Sequence, residues 1–163
     1  MLLSNFIHRP QRHESDCMVA CAEMALLHLG IQIDYVRLAQ ILQTQSDSTP
    51  FRHLQYLQLL NLVITIGNHT RIGGGIPKLF EQYIVLGLPV IVSVRTVAWR
   101  HWAGETTDHA VVVTGIDSQN DLIFIHDPFF PDAPIEMSLT AFTIGWEEKD
   151  RQYAVISLTD IEI

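Results

Sequence analysis

Only two cysteines occur in the 163 residues, Cys17 and Cys21, four positions apart. A disulfide-stapled scaffold needs more of them at wider spacing. On a helix this pair would share a face with poor geometry for bridging, so free thiols are expected. Positive charge is scarce as well: ten Lys and Arg are scattered against 18 Asp and Glu, a net charge of −8. The clustered basic face of a nucleic-acid binder is missing, and no nucleic-acid partner is expected. Long apolar runs are also lacking. The longest, residues 84–94, contains Gly87 and Pro89 and is too short to span a bilayer, which argues against membrane insertion. Met1-Leu2-Leu3 is followed at once by Ser4-Asn5 and His8-Arg9-Pro10, without the apolar stretch of a signal peptide. A cytoplasmic address of bacterial type is the expectation. There is no repeat, linker or low-complexity tract, and 48% hydrophobic residues against 17% charged ones exclude disorder. One domain over residues 1–163 is expected.

What is present begins with a helix. Ser15 or Asp16 can cap a segment running to about Leu29, with Gly30 as its stop. Met18, Val19, Cys21, Met24, Leu26 and Leu27, with Ala20, Ala22 and Ala25 between them, leave no polar stripe, which marks a buried central helix. Asp34 caps a second helix through Leu42, and a third opens at Pro50. Residues 62–66 read as a strand. The loop from Asn68 to Gly75 ends in three glycines and reads as mobile; its spacing does not fit a nucleotide-binding loop, and no cofactor is expected. A helix from Ile76 to Gly87 follows, then strands over residues 89–94, 110–116 and 122–125. Ser138 caps a last short helix before a strand over 153–158. Helices first and strands mostly later indicate an α+β fold, with the N-terminal helix packed on an antiparallel sheet.

Cys17 falls in the first turn of the buried helix, where backbone N–H groups and the helix dipole favour a nucleophilic thiolate. A buried, inert thiol is the alternative. The hairpin weighs against it. With a turn centred on Ser118, Val113 faces Ile123, Val111 faces Ile125 and His109 faces Asp127, close enough for an imidazole–carboxylate hydrogen bond. Such a bond fixes the histidine tautomer and leaves the other nitrogen for Cys17. Gln11, six residues before Cys17, can offer its amide to an oxyanion. Trp99-Arg100-His101-Trp102 leads into His109, and here His101 and Trp102 either line a substrate groove or anchor the loop.

The run Gln11-Arg12-His13-Glu14-Ser15-Asp16-Cys17, with Ala20, Met24 and Gly30, then Asp108-His109-Ala110-Val111-Val112-Val113-Thr114-Gly115-Ile116-Asp117 and His126-Asp127-Pro128, resembles the double-glycine leader peptidases. These are papain-like cysteine peptidases, best known as N-terminal domains of bacteriocin-exporting transporters. The resemblance implies a papain-like fold, with Cys17 as nucleophile, His109 as general base and acid, Asp127 as its orienter and Gln11 at the oxyanion hole. It further implies a peptide or protein substrate. Family members commonly carry glycine after the nucleophile, where this chain has Met18. The chain carries no transporter sequence, so a stand-alone form is expected.

Other readings of these residues remain open. His13, Cys17 and Cys21 recur every four positions, but His13 precedes the cap and a fourth ligand is lacking, so no metal is expected. His126 should face away from Asp127 and serve structure. A catalytically inactive peptide-binding module, or an amidase or acyltransferase using the same chemistry, would share the pattern.

Overall fold

A computed structural model describes residues 1–69 and 75–163. The expected mobile glycine loop therefore lies mostly outside the described residues. Six strands form one antiparallel sheet: β1 (Val63–Asn68), β2 (Val90–Arg95), β3 (Asp108–Asp117), β4 (Leu122–His126), β5 (Ile135–Ser138) and β6 (Gln152–Ser157), in the spatial order β1-β6-β2-β3-β4-β5. Alternation along the strands gives the sheet two apolar faces. Ile91, Ala110, Val112, Ala154 and Ile156 meet α1 (Cys17–His28), α2 (Tyr35–Ile41) and a 3-10 helix over Phe51–Leu60. Val92, Val111, Val113 and Val155 meet α3 (Gly75–Val85) and α4 (Leu139–Glu147) on the other side. The expected α+β architecture is present, with α1 against β3 and no exposed side chain from Cys17 to Leu29.

Local chemistry sets most element ends. Asp34 accepts the Arg37 amide at the start of α2, and Ser138 accepts that of Ala141 at the start of α4. Gly30 follows α1 with φ of 80°, as a helix stop requires. Asp16 stands at the cap position of α1 without capping it; its carboxylate accepts the Tyr35 hydroxyl at 3.1 Å instead. The segment after Pro50 is a 3-10 helix, and β5 lies where the sequence pattern predicts no strand. β5 is short, with only partly buried or exposed side chains, and so carries a weak apolar signal.

The hairpin register differs from the expected one. Its loop is a 3-10 turn over Ser118–Asn120, with Asp117 accepting the Asn120 amide and Asp121 left-handed at φ of 54°. This sets Asp117 opposite Leu122 and Ile116 opposite Ile123. Carried on unbroken, that register would bring Asp127 opposite Val112, with its side chain on the face away from His109. A bulge between Val113 and Gly115 intervenes, so that Val113 faces Ile125 and Val112 faces His126. One extra residue reverses the face of everything beyond it. Asp127 thereby reaches the His109 face on the diagonal, not directly opposite as expected. The N-terminal residues back the bulge: Leu3 donates its amide to the Thr114 carbonyl at 2.8 Å, and Leu2 bridges Gly115. A β-carbon at Gly115 would lie 2.6 Å from Leu2 Cδ1, so glycine permits this approach.

Candidate active site

The chain approaches α1 through a turn in which the Asp16 amide donates to the His13 carbonyl at 3.2 Å. Ala20 N–H to the Asp16 carbonyl, 3.0 Å, then starts the helix, with Cys17 as its first residue. No side chain caps this end, so the first-turn N–H groups still face outward with their partial positive charge. Cys17 is half-buried. Cys21, one turn deeper, is fully buried, and both thiols are free. Burial, with Cys17 and Asp127 nearby, pushes the Cys21 thiol well above its ordinary range.

His109 is buried on β3, with Nε2 2.6 Å from Asp127 Oδ1. Cys17 lines the same clefts and interacts with the ring, and with Nε2 on the carboxylate Nδ1 is the nitrogen left for the sulfur. Burial alone would weaken this base. The hydrogen bonds to Asp127 and Cys17 outweigh it and lift His109 from 6.5 to about 9. Asp127 is wholly buried, which would favour its neutral form. Hydrogen bonds from His101 and His109, the charge on His109 and the Phe129 amide hold it far below the usual carboxylate range. An ionised carboxylate only accepts, so the His109 nitrogen facing it carries the hydrogen.

Four donors surround Asp127. Oδ1 takes His109 Nε2 and, at 3.0 Å, the Phe129 amide. Oδ2 takes Trp102 Nε1 at 2.9 Å and His101 Nε2 at 3.0 Å. The sequence marked His101 and Trp102 as candidate groove residues; their ring N–H groups are directed at Asp127, and Trp102 also sits edge-on to the His109 ring at 5.0 Å. No local pattern announces such a contact, because it joins side chains 25 and 26 residues apart.

Gln11 reaches this neighbourhood differently from the expectation. Its amide nitrogen donates to the carbonyls of His13 at 2.8 Å and Glu14 at 2.9 Å, while Oε1 is buried without a partner. Both amide hydrogens are therefore engaged in holding the turn before Cys17. His126 lies on the other side, 3.2 Å from His8 between the Nδ1 atoms and edge-on to Phe6. Burial, then repulsion from His8, pushes it down to about 4. Among the described residues no cluster of three or more His, Cys, Asp or Glu is arranged to hold a metal ion.

Residues 3–154 match the model of the Peptidase C39-like family. The chain belongs to that family. Its fold agrees with solved C39 structures. A candidate C39-like peptidase from Bacillus anthracis superposes with a TM-score of 0.73 at 17% identity, covering 98% of each chain. The peptidase domain of Streptococcus ComA, a bifunctional ABC transporter of a quorum-sensing pathway, superposes with a TM-score of 0.74 at 20% identity, covering 95% of this chain and 100% of that one. Among curated proteins it resembles the uncharacterized proteins Rv1268c of Mycobacterium tuberculosis and Mb1299c of Mycobacterium bovis. Both are 33% identical over 53% of this chain. The matched region spans 42% of those relatives' length.

In this C39-like chain two clefts meet over the Cys17–His109 pair. One, of about 220 Å3, is bounded by Met18, Thr49, Pro50, Phe51 and Gln152. The other, of about 360 Å3, is bounded by Glu14, Asp47, Trp102, Thr107 and Phe129. Both are lined by Cys17, His109, Ser48 and Asp108, so the two clefts adjoin at the thiol. No helix among the described residues is long and apolar enough to cross a membrane.

Proposed function

We propose that the protein is a cysteine peptidase that cleaves a peptide bond through a thioester at Cys17. The observation that carries this reading is His109 bound through Nε2 to the Asp127 carboxylate while lining the same clefts as Cys17. Cys17 gives its proton to His109, and the sulfur attacks the substrate carbonyl carbon, whose π electrons move onto oxygen. As the C–N bond breaks, His109 delivers the proton to the leaving amine. Water then adds to the thioester, giving its proton to His109, and the thiolate leaves. Asp127 holds the imidazole and stabilises its charged form. The clefts that adjoin at the thiol suit an extended chain, and leader peptides fit the resemblance to double-glycine enzymes. Met18 and Phe51 line the smaller cleft, and such bulky side chains favour small substrate residues there. A cytoplasmic site of action accords with the two free thiols.

The test is labelling with an electrophilic peptide probe ending in Gly-Gly, with the modified residue mapped by mass spectrometry. Cys17 should be modified rapidly and Cys21 not at all. Slow, equal modification of both would favour a non-catalytic binding module.

For the oxyanion, the N–H of Cys17 at the uncapped start of α1 is a backbone donor, and Gln11 can add its amide only by releasing one of its two carbonyls. Gln11→Ala is expected to lower melting temperature and kcat together, because the turn before Cys17 loosens. A tenfold to thousandfold fall in kcat at unchanged melting temperature would instead make Gln11 a dedicated oxyanion donor, a role worth roughly that much.

A further inference from the structure

Asp127 is fixed from two sides, and the two sides differ in origin. Oδ1 is held by His109 and a backbone amide of its own loop; Oδ2 is held, among the described residues, by side chains of the 3-10 turn Arg100–Trp102. That turn is flanked by Ala98 and Ala103, both left-handed at φ of 64° and 51°, a conformation unfavourable for a residue with a β-carbon. The strained turn brings adjacent side chains onto one oxygen atom. It is also anchored independently of Asp127. Trp99 Nε1 donates to the Ala141 carbonyl at 3.2 Å, and Thr96 Oγ1 joins Glu105 and Thr107 across the loop at 2.8 and 2.9 Å. The turn is therefore in a position to orient the carboxylate. Of the two donors, Trp102 is buried and also packs edge-on against His109, whereas the His101 side chain is 18% exposed.

We infer that His101 is a positioning residue of this site. Its Nε2–H pins Oδ2 of Asp127, so that Oδ1 is presented to His109 in line with Cys17. A carboxylate can turn about its own bond, and loss of His101 leaves Oδ2 with Trp102 as its one remaining donor among the described residues, so that rotation is less resisted. Small displacements of a catalytic base are costly, up to about a hundredfold in rate for 1 Å. This inference rests on the peptidase reading for its consequence on turnover, but not for its geometry.

The test compares His101→Phe, which keeps a ring without the N–H, with His101→Gln, whose amide nitrogen falls near the position of Nε2. The measurements are the strongly deshielded Nε2 proton of His109 by NMR, the alkylation rate of Cys17 by iodoacetamide, kcat and KM on a peptide substrate, and the melting temperature. In His101→Phe the proton signal should shift or broaden, alkylation should slow, and kcat should fall by about ten- to a hundredfold at unchanged KM. His101→Gln should restore all three. An unaltered proton signal in His101→Phe would overturn the inference. So would a rise in KM at constant kcat, which would mean that His101 touches substrate. Equal losses in both variants, accompanied by a lower melting temperature, would reduce His101 to packing and overturn it too. Were wild-type Cys17 to alkylate no faster than free cysteine, the peptidase reading would fail, while the proton signal, which needs no turnover, would still decide whether His101 holds the pair.

Discussion

Cys17→Ala should abolish peptide hydrolysis, by a factor on the order of 10⁵ or more, and leave the fold standing. The loss is large because no second nucleophile is in place. Cys21 is fully buried one turn into α1, and its thiol is held protonated by that burial. The fold should tolerate the change because α1 already packs Ala20, Ala22 and Ala25 in its buried faces, and alanine is the best helix former. Turnover of a fluorogenic peptide and a thermal melt followed by circular dichroism check both parts. Activity above about one per cent of wild type in a folded Cys17→Ala protein would remove the thiol from the chemistry; the cost of losing a true nucleophile leaves no room for it.

Asp127→Asn should have the second largest effect, lowering kcat by about 10³- to 10⁴-fold, as expected when a base is left in the wrong tautomer. An asparagine can turn its NH₂ toward His109 Nε2, which then must accept. Nδ1 would carry the hydrogen and could no longer take one from Cys17. The substitution also leaves a single acceptor oxygen for the three remaining donors, His101, Trp102 and the Phe129 amide, where the carboxylate offers two oxygens. Buried donors without partners cost about 1–3 kcal/mol each, so some loss of melting temperature should accompany the loss of rate. A pH signature separates the two effects. His109 is raised from 6.5 to about 9, so the stability it contributes is complete below 6.5 and is lost as pH rises through about 9. Without the carboxylate His109 should lose its proton at lower pH. The alkaline limb of kcat/KM, where the imidazolium that protonates the leaving amine is lost, should move down, and stability should vary less between pH 6.5 and 9. An unmoved alkaline limb in the folded variant would exclude Asp127 as the partner of His109.

Much of this molecule could be read from short stretches of sequence, because the interactions concerned span only a few residues. The apolar run with three alanines specified α1, Asp34 and Ser138 capped the helices behind them, Gly30 stopped the first one, and Cys17 came out at a helix start. Even the antiparallel pairing of β3 with β4 followed from two β-branched runs around a turn. Register was another matter. The expected face-to-face pairing of His109 and Asp127 is absent, yet the two meet, because the bulge at Thr114 changes the face on which Asp127 emerges. That bulge is supported by Met1–Leu3, whose closeness to Gly115 depends on the folded chain. The amide of Gln11 was assigned from its residue type, but its hydrogen bonds were decided by which carbonyls the turn before α1 places beside it. His101 and Trp102 could be noticed as an aromatic cluster; that both would donate to one oxygen of Asp127 depends on a strained turn and on where β4 ends. Helix caps and apolar periodicity arise from neighbours in the chain and can be read there, whereas the aim of a side chain across distant strands is set only when the sheet has closed around it.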